Sequence, residues 1–266
     1  MNMSMTTYKI NNFEEKFKEK YGSLRNNIFN NFEIHWHEEL SSTMDLVNKN
    51  ISNKENLNRI IVSNYQRDGH GRYERKWYSE KNKNLLVSIP FLLGKELSPR
   101  MPIILSLSIF ETIKEFVSDY DQLKIKWPND ILLNSKKISG MITENVVEGE
   151  KIYINFGVGI NINLDENDLV DKNFLATSLL IEKSKIYSPE EVLYVLLCRI
   201  SKNLDYKKEL FNKWKNYLYF PKKKIYLNNN KNEKYDIKDV DEFGNLIVLK
   251  DNEELKISYG EISFHD

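Results

Sequence analysis

The segment that concentrates the most chemistry-bearing side chains is QRDGHGRYERKW, residues 66–77. Two glycines, Gly69 and Gly71, let its backbone approach a ligand closely, and Arg72 with its neighbouring arginines brings positive charge. Backbone N–H groups and guanidinium forks both satisfy anionic oxygens, so the segment suits a phosphate or an acyl phosphate. The alternative is a solvated surface loop, because glycine and charged residues are also common in such loops.

A second polar motif, KWPND at residues 126–130, lies between two strand-like runs. Pro128 disfavours helix at the preceding residue, and Asn129 with Asp130 forms a favoured turn pair. The motif is therefore either a plain β-turn or a turn whose Asp130 binds a ribose hydroxyl or a metal–nucleotide complex.

Lysines and glycines in the strands that follow indicate a surface that faces a ligand. In NSKKISG, strand alternation places Lys136 and Lys137 on opposite faces, so that one is solvated while the other points into a site. In NFGVGININ, Gly157 and Gly159 lie on one face of a strand. Glycine weakens a strand unless something must come close to it, so a flat ligand over that face explains both.

Other common site motifs are absent from the sequence. No Walker-type, dinucleotide-binding or G-x-S-x-G motif occurs. His35 and His37 share one strand face, but no Cys/His cluster supplies further ligands, so we predict that this pair packs near a sheet edge. We therefore assign no metal ligands on spacing alone.

Hydrophobic periodicity predicts the elements that must position these residues. A short polar helix is predicted over residues 8–30, and a later helix is predicted to be capped by Ser42 and Asp45. Consecutive strands then alternate with turns, and residues 151–163 are predicted to form a long strand with an exposed edge.

The pattern changes at about residue 218. From there, short strands at roughly ten-residue spacing predict a small terminal β-barrel. The predicted fold class is α+β, with a mixed β-sheet backed by helices and then a β cap.

Composition limits the class of protein. The chain has 266 residues, of which 41% are hydrophobic and 29% charged, as in an ordinary globular protein. The 39 basic residues balance the 39 acidic residues, which argues against a protein that coats nucleic acid. No apolar run is long enough to span a membrane. A single cysteine excludes an intramolecular disulfide, and with no secretory signal the sequence predicts a cytoplasmic protein.

Four stretches, in order, resemble the biotin–protein ligases: SSTMD, Q-x-x-G-x-G-R-x-x-R-K-W, KWPND-x₆-KISG-x₃-E and GVGIN. A fifth, YGEIS, is similar to the closing Gly-Glu signature of the family's small C-terminal barrel. The resemblance covers residues 32–263. It implies a short N-terminal extension at 1–30, a class II synthetase-like catalytic domain at 31–217 and an SH3-like domain at 218–266.

The resemblance also implies roles for individual residues. The residues that would bind biotin are Ser42, Thr43, Gln66, Gly69, His70, Arg72, Lys137, Gly140, Gly157 and Gly159. Those that would bind the nucleotide are Arg72, Trp77, Asn129, Asp130 and Asn161. The catalytic group would be Lys137, Arg72 and Asp130, with Lys137 touching the carboxylate and the α-phosphate.

The activity implied by the resemblance is ATP-dependent biotinylation of a lysine through biotinyl-5′-AMP, with ATP, Mg²⁺ and biotin as ligands. The acceptor would be the biotin carboxyl carrier domain of acetyl-CoA carboxylase or a related carboxylase. The chain is too short for the DNA-binding domain of bifunctional members, so we expect a monofunctional ligase that binds neither nucleic acid nor membrane. Pairing through residues 151–163 would give a homodimer.

Three positions depart from the family pattern. His70 replaces an arginine, Glu74 stands where a small residue is common, and Met44 stands where asparagine is common. Losing a fixed cation at position 70 should weaken retention of the adenylate, or make retention depend on pH as the histidine charges. A dissociation rate that is flat between pH 5.5 and 8 would exclude a charge role for His70.

Two other functions fit the same sequence. A lipoate or octanoate ligase of similar fold would use a longer apolar tunnel. A non-catalytic binding protein that retains the fold would be favoured if Lys137 and Arg72 were lost, but both are present.

Overall fold

A computed structural model describes residues 4–24, 28–117, 121–170, 175–205, 208–221, 224–227, 230, 232–251, 253–258, 260 and 262–263. The strands in this part of the chain are β1 (Met5–Lys9), β2 (Glu33–His37), β3 (Arg59–Ser63), β4 (Asn84–Leu93), β5 (Leu123–Lys126), β6 (Asp130–Leu133), β7 (Lys136–Glu148), β8 (Lys151–Asn161), β9 (Tyr226–Leu227), β10 (Asp236–Val240), β11 (Leu246–Lys250), β12 (Glu253–Ile257) and β13 (Ile262–Ser263). The helices are α1 (Ile10–Glu15), α2 (Lys18–Tyr21), α3 (Thr43–Asn53), α4 (Met101–Phe116), α5 (Glu166–Leu169), α6 (Leu179–Lys183), α7 (Pro189–Asn203) and α8 (Lys208–Asn216), and a 3₁₀ turn, Ser98–Arg100, precedes α4.

Eight of the described strands form one mixed sheet in the order β1-β2-β3-β4-β8-β7-β6-β5. Strands β2 and β3 run parallel, and the other neighbouring pairs are antiparallel. The turns between β5 and β8 are short, since each joins adjacent antiparallel strands directly. The predicted α+β class with a large mixed sheet backed by helices is confirmed.

Alternation along β8 separates the two faces of the sheet. Ile154, Phe156 and Val158 pack into the main hydrophobic core with α4 and α7, whereas Tyr153 packs with α3 on the other face. Because successive side chains point to opposite faces, Gly157 and the other odd-numbered residues of β8 share the α3 side. The site-bearing face is therefore the one that α3 covers only in part.

Helix α4 is buried almost all round because it lies between the sheet and α7. Its hydroxyl residues Ser106, Ser108 and Thr112 each donate to a carbonyl one turn earlier, which satisfies their polar atoms inside the core. Ser42 caps α3 as predicted by accepting from the N–H of Met44, and Ser188 caps α7 by accepting from the N–H of Glu191.

The single polar helix predicted over residues 8–30 is wrong. The structure has the edge strand β1, paired with β2, followed by the short helices α1 and α2. Ile10 and Phe13 are buried in the main core, and the ring of Phe13 lies 6.3 Å from that of Tyr194 in α7. These apolar contacts fold the segment against the body of the protein, and the division at residue 30 stays a prediction.

The prediction that residues 151–163 form an exposed edge is also wrong. Strand β8 pairs along its length with β4 on one side and with β7 on the other. Both ladders are occupied, so this strand cannot pair with a second chain.

A small β-sheet domain follows α8, as predicted. Strands β10, β11 and β12 form an antiparallel sheet, and β13 pairs with β9. The indole N–H of Trp127 donates to the carbonyl of Gly244 at 2.9 Å, which joins the β10–β11 turn to the KWPND turn. The SH3-like assignment stays a prediction, and Glu261 of the Gly-Glu signature lies outside the described residues.

Within the part of the chain that the structure describes, no helix is both long and apolar enough to cross a membrane.

Candidate active site

Three glycines form a flat surface on the α3 side of the sheet, and we call them the glycine floor. Gly140 of β7 pairs directly with Gly159 of β8, and Gly157 lies two residues away along β8, opposite Ile142. Side chains at these positions would fill the space above the backbone. The predicted glycine-lined face is therefore built from two neighbouring strands.

Two large side chains lie on this floor. A Cβ atom added to Gly159 would be 2.3 Å from Cε2 of Trp77, and one added to Gly157 would be 2.2 Å from the sulfur of Met44. No real Cβ tolerates such distances, so the glycines are needed for Trp77 and Met44 to lie there. A flat ligand on the floor must take the place of one or both side chains.

The loop at residues 66–77 brings Trp77 to the floor by folding back on itself. The N–H of Gly71 donates to the carbonyl of Arg75 at 2.6 Å, and the N–H of Trp77 donates to the carbonyl of Gly69 at 2.8 Å. A Cβ on Gly71 would be 2.8 Å from that Arg75 oxygen. In this structure, therefore, the missing side chains of Gly69 and Gly71 make room for the loop's own backbone.

A surface ion pair closes the base of the same loop. Lys76 donates to Asp68 at 3.2 Å, and this hydrogen bond lowers the pKa of the Asp68 carboxyl. Both side chains are largely exposed, so the pair adds little stability.

The predicted catalytic lysine lies over the floor. The ammonium of Lys137 is 2.6 Å from a carboxylate oxygen of Asp130 and 5.3 Å from the centre of a Trp77 ring. A Cβ on Gly140 would be 2.9 Å from the same ammonium. Lys136 is exposed, so the two lysines differ as strand alternation predicted, and the inward one is Lys137, to which the resemblance pointed.

The KWPND turn positions the polar groups around Lys137. Asn129 exchanges two hydrogen bonds with Met141: its side-chain amide donates to the Met141 carbonyl at 2.8 Å, and its carbonyl accepts the Met141 N–H at 3.0 Å. Arg72 then donates to Oδ1 of Asn129 at 3.4 Å. Arg72, Asn129, Asp130 and Lys137 therefore converge in one place.

A buried chain of hydrogen bonds lies beyond the other end of the floor. Gln66 Oε1 accepts from the N–H of Thr43 at 2.7 Å and from its hydroxyl at 2.9 Å, and Ser88 donates to that hydroxyl at 2.8 Å. Ser42, Thr43 and Gln66 were expected here from the resemblance, and Ser88 was not. A lone serine in the apolar run NLLVSIPFLL was the signal that could have identified it.

His70 is paired with a carboxylate of α3. Its Nε2 lies 2.9 Å from Oδ1 of Asp45, the residue that follows Met44 in α3. Sequence reasoning did not anticipate this pairing. Contact between His70 and an adenylate stays a prediction.

Two spaces that share lining residues adjoin these side chains. A space of about 60 Å³ lies at the glycine floor, and a larger cavity of about 640 Å³ lies on the far side of Arg72 and Lys137. The larger cavity is lined by residues of the 66–77 loop, the KWPND turn, Asn161, the segment around Leu175 and Tyr219. Lys137 lines both spaces, so it stands where a molecule in one would meet a molecule in the other.

Asn161 lines the larger cavity while its amide is used within the protein. Its Nδ2 donates to the carbonyl of Thr177 at 2.9 Å, and its Oδ1 accepts from Asn84 at 3.0 Å. Thr177 in turn donates its N–H to the carbonyl of Lys137 at 2.9 Å. Here Asn161 holds the segment that supports Lys137, and its binding of nucleotide stays a prediction.

Asp130 offers a carboxylate for a cation that accompanies phosphates. Mg²⁺ in nucleotide sites is held by one or two carboxylates plus substrate phosphates, and Asp130 lines the larger cavity. Among the described residues there is no group of three or more His, Cys, Asp or Glu that could hold a metal alone. The donor set fits a nucleotide-borne Mg²⁺ better than a resident metal.

The fold and the site together define a protein with two adjacent spaces. A small one, lined by Arg72 and Lys137, lies over the glycine floor, and a larger cavity lies beside it. Residues 36–161 match the biotin/lipoate A/B protein ligase family. The match confirms the resemblance for this part of the chain.

Individual relatives agree with this assignment. The chain is 30% identical over 176 residues to the bifunctional ligase/repressor BirA of Bacillus subtilis, covering 64% of this chain and 54% of the relative. It is 32% identical over 151 residues to biotin–protein ligase 2 of Arabidopsis thaliana, covering 54% of this chain and 44% of the relative. The chain thus spans about half the length of these relatives.

A solved structure extends the match. The biotin protein ligase of Aquifex aeolicus, solved with biotin and ATP, superimposes with a TM-score of 0.69 at 27% identity. The superposition covers 86% of this chain and 97% of that one. The similarity therefore reaches well beyond the residues that match the family.

Proposed function

We propose that this protein joins biotin to a lysine of a biotin carboxyl carrier domain, using ATP and passing through biotinyl-5′-AMP. The observation that carries the proposal is the position of Lys137, which lines both the glycine-floored space and the larger cavity. An acid on the floor and a nucleotide in the larger cavity would meet at its ammonium group. The Aquifex aeolicus relative, solved with biotin and ATP, supports these two ligands.

In the first half-reaction, a carboxylate oxygen of biotin attacks the α-phosphorus of ATP. The bond to the β-phosphate oxygen breaks, and pyrophosphate leaves with the electron pair. The main obstacle is repulsion between two anions, which Lys137 and Arg72 reduce by electrostatic stabilisation. Lys137 has only to exchange its present partner, the Asp130 carboxylate at 2.6 Å, for the oxygens of the substrates.

Mg²⁺ that arrives with ATP would be held by Asp130 and by the nucleotide's phosphates, and it would neutralise part of their charge. Two hydrogen bonds with Met141 hold Asn129 in place. Asn129 accepts a hydrogen bond from Arg72 and so keeps Arg72 directed at the position of these phosphates. The protein side of the site is thus prepared before the nucleotide binds.

In the second half-reaction, the acceptor amine attacks the carbonyl carbon of the adenylate. The C–O bond to AMP breaks, an amide forms, and the amine loses a proton. A Paracoccus denitrificans relative is named biotin–[acetyl-CoA-carboxylase] ligase, which supports the carrier domain of acetyl-CoA carboxylase as the acceptor.

Mass spectrometry of a purified carrier domain tests the proposal. After incubation with this protein, ATP, Mg²⁺ and biotin, we expect the carrier domain to gain one biotinyl group. A carrier whose acceptor lysine is changed to arginine is the matched control and should gain nothing. An unmodified wild-type carrier domain, with no pyrophosphate released, would overturn the proposal and leave a binding protein.

Competition with lipoate separates the nearest alternative. Radiolabelled biotin should enter the adenylate in the presence of excess lipoate or octanoate. Preferential adenylation of either competitor would reassign the protein as a lipoate or octanoate ligase.

A further inference from the structure

The side chain of Met44 crosses the glycine floor at Gly157. Its sulfur would be 2.2 Å, and its Cγ 2.9 Å, from a Cβ atom on that glycine. Met44 is 5% exposed and is the second residue of α3. The three atoms nearest to that Cβ position all belong to Met44. Met44 is thus the principal neighbour of Gly157 on this face.

Hydrogen bonds hold the backbone of Met44 in place, so a ligand can move only its side chain. Its N–H donates to Ser42 at 3.2 Å, and its carbonyl accepts from the amide of Asn155 at 2.9 Å. A methionine side chain has three rotatable bonds and adapts to irregular shapes. The residue therefore combines a rigid attachment with a movable apolar end.

Strand geometry places Met44 where the far end of a bound acid must lie. Lys137 stands over Gly140 and so marks the carboxylate end at the Gly140–Gly159 pair. Gly157 is two residues further along β8, a distance of roughly 6–7 Å. A ring system attached to the carboxylate through a short chain would reach Gly157 and contact the thioether.

The room left beside Met44 is small. The space at the floor is about 60 Å³, whereas a cavity of about 150 Å³ is needed to hold a molecule the size of benzene. Trp77 covers Gly159 and the thioether covers Gly157, so a ring that reaches Gly157 requires the thioether to repack. The volume at position 44 then limits the bulk of that ring.

Asn155 adds a chemical preference at the same end. It is fully buried on the face of Gly157, and its Nδ2 donates to Met44 and to Asn48. Its Oδ1 has no hydrogen-bond partner among the described residues. A buried acceptor without a partner is costly, so a ring that carries an N–H donor is favoured over a hydrocarbon of the same size.

We propose that Met44 determines specificity by limiting the size of the ring that the space over the glycine floor accepts. It acts at the end of the floor where Asn155 favours a ring with an N–H donor. The proposal rests on the proposed function, because it takes the acid to be biotin-like. It adds the residue that distinguishes biotin from larger derivatives of it.

The test compares wild-type protein with Met44→Ala and Met44→Leu, using pyrophosphate release with biotin and with biotin derivatives that carry one added methyl group on a ring carbon, which leaves the charge and the N–H donors unchanged. For at least one derivative, Met44→Ala should raise kcat/KM relative to biotin by about tenfold or more, since one methyl group in an apolar pocket discriminates to that extent. Met44→Leu, which keeps most of the volume, should keep a ratio close to the wild-type value.

Leu46→Ala is the matched control, because Leu46 lies on the same helix but packs in the cluster of Val47 and Ile51. It should leave the selectivity ratio unchanged, and melting curves establish that each variant is folded. If Met44→Ala does not fold, Met44→Gly and Met44→Val on the same acids supply the volume series.

The two hypotheses fail in different ways. Wild-type turnover of biotin with the same ratios in every folded position-44 variant would overturn the role of Met44 and leave the proposed function intact. A wild-type protein that is inert with biotin would overturn both.

Discussion

Lys137 is held between a carboxylate and an aromatic ring. Its ammonium pairs with Asp130 at 2.6 Å and stands 5.3 Å from a Trp77 ring centre, so it is partly desolvated in the absence of substrates. Neither contact is a strong bidentate interaction. Substrate oxygens can therefore take the place of both contacts.

Lys137→Ala should lower the rate of adenylate formation by roughly 10²–10³-fold, because electrostatic groups at reacting oxyanions contribute on that scale. Pyrophosphate release in a single turnover measures this step. Lys136→Ala is the matched control, since Lys136 is exposed on the opposite face of the strand. Near-normal turnover by Lys137→Ala would remove Lys137 from the mechanism.

Much of the site at this scale could be predicted from the sequence. Strand alternation and the KISG motif single out Lys137, and the turn motif singles out Asp130. The pairs His70–Asp45 and Ser88–Thr43 could not be predicted, because their partners are 25 and 45 residues apart and meet only through the placing of α3 on the sheet.

Among the elements around the site, the 66–77 loop covers the glycine floor. Trp77 lies on Gly159, yet its indole N–H is buried without a hydrogen-bond partner among the described residues. Leaving such a donor unpaired costs about 1–3 kcal/mol. The unpaired N–H therefore disfavours this position of the Trp77 ring, and a ligand that takes the floor can displace the ring.

Gly159→Ala should weaken biotin binding by about tenfold or more, because a new methyl group would fill the surface on which a ring must lie. The affinity is measured by calorimetry, and tryptophan fluorescence should shift in the unliganded variant as Trp77 leaves the floor. Gly94→Ala is the control, since a Cβ there meets nothing within 4 Å. Wild-type affinity in Gly159→Ala would show that biotin binds elsewhere.

Local turn chemistry explains which elements could be predicted. The turns before β6, β7 and β8 carry Pro-Asn, Asn-Ser and Glu-Gly pairs, and the predicted alternation of strands and turns is found there. The edge strand β1 and the central position of β8 escaped prediction. Both depend on which distant strands pair, and a short sequence window holds no such information.

At the scale of the whole molecule, the C-terminal β-sheet domain reaches the site through its β10–β11 turn. Asp241 organises this turn by accepting from the N–H groups of Phe243 and Asn245, at 3.0 and 2.9 Å. Burial raises the pKa of Asp241, but hydrogen bonds from Lys256, Asn245 and these N–H groups outweigh burial and lower it to about 2.

Asp241→Asn should lower the melting temperature at neutral pH. The folded-state pKa lies below the ordinary value of 3.8, so the stability from this carboxylate is present above about pH 4 and lost as pH falls towards 2. The difference from wild type should shrink over that interval, as followed by circular dichroism. Asp236→Asn, an exposed carboxylate on β10, should show little difference; an equal effect in both variants would contradict the role of Asp241.

The change of pattern near residue 218 predicted a second β unit, but not how it meets the first. That contact depends on single hydrogen bonds such as Trp127 to Gly244, between residues 117 positions apart. Composition and periodicity describe each unit separately, whereas the surface between them is set by shapes that exist only after folding.

The hydrogen bond between Trp127 and Gly244 can form only late in the synthesis of the chain. Ribosomes add residues from the N-terminus, so the KWPND turn leaves the exit tunnel long before the carbonyl that anchors it. A nascent chain would hold every cation of the pocket while lacking this brace. The support that this bond gives to the KWPND turn is therefore gained only after Gly244 has been added to the chain.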